Sequence, residues 1–182
     1  MADLLTLDLV DKGLMTDQIV LTVGYDIENL TDPARAARYK GEVTTDHYGR
    51  RIPKHAHGTE NLGGYTSSTR RIIAATERLC KRILDPNLLV RRMSITAARV
   101  LDEAEARKAG AKEEQLSMFT DYEAEDRERQ SEEAALERER RMQKAVIDIK
   151  KKYGKNAIMK GMNLEEGATA KDRNAQIGGH KA

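Results

Sequence analysis

The sequence predicts an α+β fold of the split βαβ type without its first strand, followed by a charged helical tail. The first of three observations behind this prediction is the element order over residues 1–100, which is helix, strand, strand, helix, strand. The second is that the first strand has one apolar face and one small, polar face. The third is the highly charged stretch that follows. Two helices are therefore expected to cover one face of the sheet and leave the other open.

The first two elements have different hydrophobic periods. Residues 1–12 are predicted to form a short helix with apolar Leu4, Leu5 and Leu9, ended by Gly13, a residue suited to the left-handed position after a helix. Residues 19–25 alternate as a strand that is packed on one side. The apolar face of this strand consists of Ile19, Leu21, Val23 and Tyr25, and the opposite face of Val20, Thr22 and Gly24.

The rest of the domain is delimited by turn and cap signals. Residues 26–53 are predicted to be a long connection, and residues 54–62 a second strand. The hydroxyls of residues 66–68 are suited to capping a helix that continues to Leu84, where Asp85-Pro86 stops it. Residues 88–100 form the last predicted strand. Arg92, Ser94 and Thr96 share the face of this strand that is opposite Met93, Ile95 and Ala97.

The composition limits the class of protein. The 182 residues are 39% hydrophobic, 34% charged and only 4% aromatic, which predicts one modest aliphatic core. The lone Cys80 excludes an internal disulfide, and the chain contains no run of about 18 apolar residues and no signal peptide. The cytoplasm is the expected location, and no membrane partner is expected.

The charge is unevenly distributed although the net charge is only +2. Residues 34–71 contain eight basic and three acidic residues, and Arg91-Arg92 begins the last strand. Cations neutralise phosphates, and backbone N–H groups at a helix start near Thr66 favour anions, so this region indicates nucleic-acid binding. A solvated basic surface explains the composition equally well.

His55 and His57 lie on one face of the predicted second strand, where two imidazoles are able to begin a metal site. Only His47, His180 and Cys80 remain as further ligands of this kind. Two polar residues on an exposed strand are therefore the preferred interpretation, and no metal is assigned.

An isolated apolar segment interrupts the charged region after the last strand. It consists of Gln115, Leu116, Ser117, Met118 and Phe119. Its apolar side chains suit an extended peptide that docks in a partner's pocket. From the pattern alone, a helix that packs back on the domain is slightly favoured.

Residues 121–153 are predicted to be a highly charged helix, solvated along most of its length, with nine acids and three arginines over residues 121–139. A coiled-coil strand is the alternative, but the apolar positions do not keep a heptad. The last residues, 154–182, are rich in Gly, Ala, Asn and Lys, which predicts an irregular tail. The chain has no phosphate loop and no nucleophile elbow, and no catalytic residue is assigned.

Several segments together resemble one family. Residues 16–26 (TDQIVLTVGYD), 54–59 (KHAHGT) and 85–92 (DPNLLVRR) are similar to the little-finger domain of UmuC-like Y-family translesion DNA polymerases from Gram-positive bacteria. The tail segments 160–169 and 176–182 resemble the C-terminus of the same proteins. The resemblance extends over nearly the whole chain.

This resemblance implies that four strands and two helices grip the template duplex in its major groove. The phosphate contacts that it implies come from Lys54, His55, His57, Thr66, Ser67, Ser68, Arg91, Arg92, Ser94 and Thr96. It also implies that residues 115–119 bind the replication sliding clamp, with Met118 in place of the usual Leu. The palm that holds the catalytic Mg²⁺ is expected upstream, so this chain is assigned no cofactor and no small-molecule ligand.

The expected organisation is a little-finger DNA-binding domain over residues 1–105, without its first strand. A linker with the clamp-binding peptide (106–122), the charged helix (123–153) and the tail (154–182) follow. The expected function is DNA gripping and clamp tethering in lesion bypass, DNA repair and the SOS response. Two alternatives remain open, namely a protein-interaction module that uses the charged helix and a self-standing RNA-binding domain.

Overall fold

The protein has a mixed α+β fold that begins with a helix packed against a strand. The computed structural model describes residues 1–110, 122–177 and 180–181. Helix α1 (Ala2–Asp11) is followed by strand β1 (Leu14–Tyr25). Gly13 between them has φ of 68°, the left-handed backbone that glycine adopts without steric cost. The predicted helix stop is therefore confirmed, and the strand begins five residues earlier than the sequence indicates.

The connection after β1 contains short elements that the sequence did not reveal. These are helices α2 (Glu28–Thr31) and α3 (Pro33–Ala36) and the hairpin of strands β2 (Val43–Thr45) and β3 (Arg51–Pro53). Asp32 caps α3 by accepting the backbone N–H of Arg35 at 2.8 Å. In the hairpin turn, Asp46 accepts the backbone N–H groups of Tyr48 and Arg50, each at 2.9 Å. Hydrogen bonds from local polar side chains therefore stabilise these short elements, which have no apolar repeat in the sequence.

Strand β4 (Ala56–Thr66), helix α4 (Thr69–Ile83) and strand β5 (Val90–Asp102) complete the domain. In the described part of the chain, β4, β1 and β5 form the central sheet in that order, with both pairs antiparallel. Both β4 and β5 are therefore edge strands. Ser68 caps α4 by accepting the backbone N–H of Arg71 at 3.3 Å, as the hydroxyl cluster predicted.

The register determines which residues form the core. Ile19 pairs with Glu60 and Ala97, and Leu21 pairs with Gly58 and Ile95, so these residues share one face of the sheet. Helices α1 and α4 cover this face, and the predicted one-sided alternation of β1 is confirmed. The buried cluster consists of Leu9, Ile19, Leu21, Val23, Tyr25, Ile72, Ala75 and Leu79.

Gly58 lets α4 approach β4 closely. A Cβ atom at this position would lie 2.9 Å from side-chain carbons of both Leu79 and Ile83. Because packed helices give way only at a cost, we expect Gly58→Ala to lower the free energy of unfolding by about 1–3 kcal/mol, measured by urea denaturation. Gly64→Ala is the matched control because a Cβ there meets nothing within 4 Å. Equal effects of the two substitutions would contradict the close approach.

Helices α5 (Glu103–Gly110) and α6 (Tyr122–Tyr153) follow the sheet. The sequence predicted that the charged helix is solvated along most of its length, but the structure shows its second half docked on the domain. Gln143 and Ile147 are buried, and Gln143 donates to the Ser67 carbonyl at 3.0 Å and to the Thr69 hydroxyl at 2.8 Å. Docking through a glutamine produces no apolar periodicity, which is why the sequence did not predict it.

The tail contains more regular structure than its composition predicted. A 3₁₀ turn (Gly161–Leu164), helix α7 (Ala170–Asn174) and a pairing of β6 (Gln176–Ile177) with β7 (His180–Lys181) are present. Lys160 forms a 2.5 Å ion pair with Asp3 of α1. Within the described ranges, no helix combines the length and apolarity needed to cross a membrane.

Candidate nucleic-acid interface

The second face of the central sheet, here called the open face, carries polar and small side chains. The antiparallel register places Thr22 between His57 and Ser94, and Val20 between Thr59 and Thr96. The open face consists of Gln18, Val20, Thr22, Gly24, His57, Thr59, Asn61, Arg92, Ser94, Thr96 and Ala98. All of these residues are exposed or half-buried, whereas the opposite face forms the core.

Hydrogen bonds hold several of these side chains in place across the strands. The Thr22 hydroxyl lies 2.9 Å from Nδ1 of His57. Asn61 Oδ1 accepts from Gln18 Nε2 at 3.0 Å and from Arg99 Nη2 at 2.9 Å. The polar groups therefore already have defined positions before any ligand arrives, which limits the entropy cost of ordering them on binding.

The predicted residues of the last strand divide into two groups. Arg92, Ser94 and Thr96 lie on the open face, as the alternation predicted. Arg91 instead falls in a register shift between the pairs Tyr25–Val90 and Gly24–Arg92, and its guanidinium lies 3.7 Å from the Asp26 carboxylate. A bulge redirects a side chain away from the regular alternation, so Arg91 belongs to the end of the sheet and not to its face.

The predicted residues from the preceding strand also separate. His57 lies within β4 on the open face, whereas Lys54 and His55 precede the strand. The Lys54 ammonium forms a 2.6 Å ion pair with Glu42, and its backbone N–H donates to the Glu42 carbonyl at 2.8 Å. The charge of Lys54 is therefore largely matched within the chain.

The start of α4 is already occupied by a carboxylate. Thr66 and Ser68 are buried and Ser67 is half-buried. Glu139 of α6 accepts the Ser68 hydroxyl at 2.7 Å and the Arg70 backbone N–H at 3.0 Å. An acidic side chain fits this position because the N-terminus of a helix carries partial positive charge. In this structure the predicted phosphate position is thus filled by the chain's own helix α6.

A second contact holds α6 beside α5. Arg140 donates through both terminal nitrogens to the Glu103 carboxylate, and Arg107 donates to it at 2.8 Å. The hydrogen bonds from Arg140 lower the pKa of Glu103 to about 2. The carboxylate is therefore charged throughout the physiological range.

The sequence prediction missed Gln18, Thr59 and Asn61 of the open face. It also missed Arg99, which lies beside this face and donates to Asn61. The signal was present, because extending the period of two back from Thr22 reaches Gln18. The predicted clamp-binding peptide, residues 115–119, lies outside the described residues.

The chain matches no protein-family model, no curated protein and no solved structure. A functional proposal for it therefore depends on its own residues.

Proposed function

We propose that this chain is the non-catalytic DNA-binding and clamp-tethering portion of a Y-family lesion-bypass polymerase, acting in DNA repair and the SOS response. It holds primer–template duplex against the open face of the central sheet. The observation that carries this proposal is a sheet covered by helices on one face and lined on the other by hydroxyls, amides, an imidazole and a guanidinium. The element order and the segments that resemble little-finger domains support the same proposal.

The chemistry of the open face suits a phosphate backbone. Hydroxyl and amide groups such as those of Thr96, Ser94 and Asn61 donate hydrogen bonds to phosphate oxygens, and Arg92 adds charge. The face carries no large aromatic side chain, although stacking on aromatic rings is the common way to bind unpaired bases. Contacts of this kind position a duplex without reading its sequence. Little sequence preference is therefore expected.

The function is tested by binding of the purified chain to fluorescent primer–template DNA across a salt series. Each phosphate contact contributes about 0.9 to the slope of log affinity against log salt. Arg92 lies on the open face and Arg91 does not, so Arg91→Ala/Arg92→Ala is expected to reduce this slope by about 1. Lys81→Ala/Lys144→Ala removes the same charge from exposed positions of α4 and α6 and is expected to leave the slope unchanged.

The opposite results are equally informative. A folded chain that fails to bind duplex DNA at low salt would exclude the proposal. Preference for single-stranded RNA over duplex DNA would favour the RNA-binding alternative. An equal loss of slope in both double variants would show that binding depends on the net charge of the chain and not on the open face.

Clamp tethering is proposed from the sequence of residues 115–119 and from its resemblance alone. Leu116→Ala/Phe119→Ala is expected to abolish co-migration with a bacterial sliding clamp in gel filtration, because the apolar anchors of such a peptide supply most of its affinity. DNA binding serves as the internal control and is expected to persist. Unchanged co-migration would remove the clamp from the proposal.

A further inference from the structure

The basic stretch of residues 34–71 contains three acids, and the structure shows that each acid already has a cationic partner. Glu42 pairs with Lys54 at 2.6 Å, and Asp46 pairs with Arg50 at 2.7 Å. Glu60 pairs with Arg78 and Arg82 of α4, at 3.1 and 2.6 Å. The acids of this stretch are therefore not available to neutralise its remaining cations.

Three of the remaining cations converge on one cleft. Arg35, Arg38 and Lys40 are exposed, and within the described residues none of them forms an ion pair. All three line a cleft of about 430 Å³ between the α3 region and the loop before β5. The other lining residues are Asn29, Tyr39, Gly41, Asp85, Asn87 and Leu88. Asp85 is the one carboxylate in this lining, so the cleft keeps an excess of positive charge.

Local hydrogen bonds give the cationic wall a defined shape. Asp32 caps α3, and the Arg35 carbonyl accepts the backbone N–H groups of Arg38 and Tyr39 at 3.0 and 3.1 Å. Arg35 lies in α3 and Arg38 in the turn that follows it, so these backbone hydrogen bonds join the two positions in one ordered turn. The Tyr39 hydroxyl donates to the Glu42 carbonyl at 2.6 Å and thereby ties the end of the wall to the hairpin.

The opposite wall is fixed to the end of the sheet. Asn29, which is 1% exposed, donates to the carbonyls of Asp26 and Leu89 and accepts the backbone N–H of Leu89, each at 2.9 Å. Asp85 accepts the backbone and side-chain N–H groups of Asn87 at 2.9 and 3.0 Å, which holds this part of the wall in place. Leu89 immediately precedes β5, so the cleft adjoins the end of the sheet that carries Arg91.

We propose that this cleft binds the phosphodiester backbone of the nucleic acid that lies on the open face, and that it extends the contact beyond the sheet. This inference rests on the proposed function and adds a second contact region, formed by Arg35, Arg38 and Lys40. The two guanidinium groups are suited to bidentate contacts with phosphate oxygens, and the Lys40 ammonium adds a point charge. The three cations outnumber the single Asp85 carboxylate of the lining, and this excess positive charge is what releases counterions when a phosphate backbone binds.

The test compares duplexes of about 10 and about 20 base pairs, which are roughly 34 and 68 Å long. A 13-residue strand such as β5 spans about 43 Å, so one duplex is shorter than the strand and the other is longer. The variant is Arg35→Gln/Arg38→Gln/Lys40→Gln. We expect it to bind the long duplex at least about 10-fold more weakly than the unaltered chain, with a salt slope lower by about 2 to 3. On the short duplex, the loss is expected to be smaller than on the long one, because about 34 Å of duplex is too short to cover both the whole length of the sheet and the cleft.

The matched control is Lys81→Gln/Arg141→Gln/Lys144→Gln, which removes the same charge from exposed positions of α4 and α6. An equal loss in this control would overturn the cleft as a specific contact. If Arg91→Ala/Arg92→Ala weakens binding and the cleft variant does not, the inference fails while the proposed function stands. If the unaltered chain binds no duplex, the proposed function itself fails.

A second arm separates a nucleic-acid strand from a small anion. Inorganic phosphate alone is titrated while the backbone amide signals of Gly41 and Asn87 are followed by NMR. Saturable binding of phosphate, together with unchanged DNA affinity in the cleft variant, would assign the cleft to a small phosphate ligand and overturn the strand assignment.

Discussion

Arg140→Glu is expected to release the second half of α6 from the domain and to lower the free energy of unfolding by about 2–3 kcal/mol. Arg140 and Glu103 have side chains that are only 23% and 21% exposed. The substitution replaces a bidentate ion pair with two facing carboxylates. The two like charges repel each other, and Arg140 no longer offsets the loss of hydration at this half-buried position. Because the pair is not fully buried, the expected loss is smaller than for a core ion pair.

Amide hydrogen exchange in α6 and urea denaturation measure the effect. Arg141→Glu makes the same charge change at the adjacent exposed position and is expected to have little effect. Adding Glu103→Arg to Arg140→Glu restores an ion pair and is expected to recover most of the stability, although Arg107 then faces a like charge. Protection of α6 that is unchanged in Arg140→Glu would contradict docking through this pair.

Acid offers an independent measurement of the same contact. The pKa of Glu103 lies at about 2 in the folded chain, below its ordinary value of 4.5, because Arg140 hydrogen-bonds to the charged form. A lowered folded-state pKa means that the contribution of the pair is complete above about pH 4.5 and is lost as the pH falls toward 2. The difference in stability between the unaltered chain and Glu103→Gln is therefore expected to shrink over this interval.

Thr22→Glu/Ser94→Glu is expected to weaken binding of primer–template DNA about 100-fold at low salt, which corresponds to about 2.8 kcal/mol. The two residues pair across β1 and β5 at the middle of the open face. Two carboxylates there would face the phosphates of a bound duplex, and juxtaposed like charges cost several kcal/mol. Competition against labelled duplex, over a salt series, measures the loss.

Thr22→Gln/Ser94→Gln is the control, because glutamine has nearly the same shape as glutamate without its charge. This variant is expected to keep the affinity within about 5-fold, with thermal unfolding showing that both variants fold. Equal loss in the Glu and Gln variants would point to disturbed packing of the sheet. No loss in either variant would place the DNA elsewhere.

The sequence contained most of the information for the domain core. The alternation of Ile19, Leu21 and Val23 predicted a strand packed on one side, and these three residues are almost fully buried. The hydroxyl cap at Ser68 and the stop at Asp85-Pro86 predicted the bounds of α4 to within a few residues. These signals are local or have a short period, which is why one sequence suffices to detect them.

Long-range polar contacts carried no such signal. Gln143 and Glu139 attach α6 to the start of α4 across more than 65 residues, and a glutamine or glutamate in a charged helix looks like a solvated residue. The hairpin and short helices between β1 and β4 also escaped prediction, because side chains such as Asp32 and Asp46 determine them instead of an apolar repeat.

The sequence predicted which face of the sheet carries the candidate site, but it did not predict the position of every residue in the site. Period-two alternation predicted that Arg92, Ser94 and Thr96 share a polar face, and the register confirms their common side. The bulge at Arg91 and the carboxylate of Glu139 at the start of α4 depend on pairing and docking geometry. Neither is visible until strands and helices are placed relative to one another.

The position of β5 at the edge of the central sheet has a consequence for self-association. An edge strand of 13 residues presents unpaired backbone groups, which in a flat apolar strand would template aggregation. Here Arg91, Arg92 and Arg99 are distributed along the strand, and Arg99 has φ of 49°, a left-handed kink in the extended backbone. A second copy would meet charged side chains and an irregular edge, two features that oppose edge-to-edge pairing of strands.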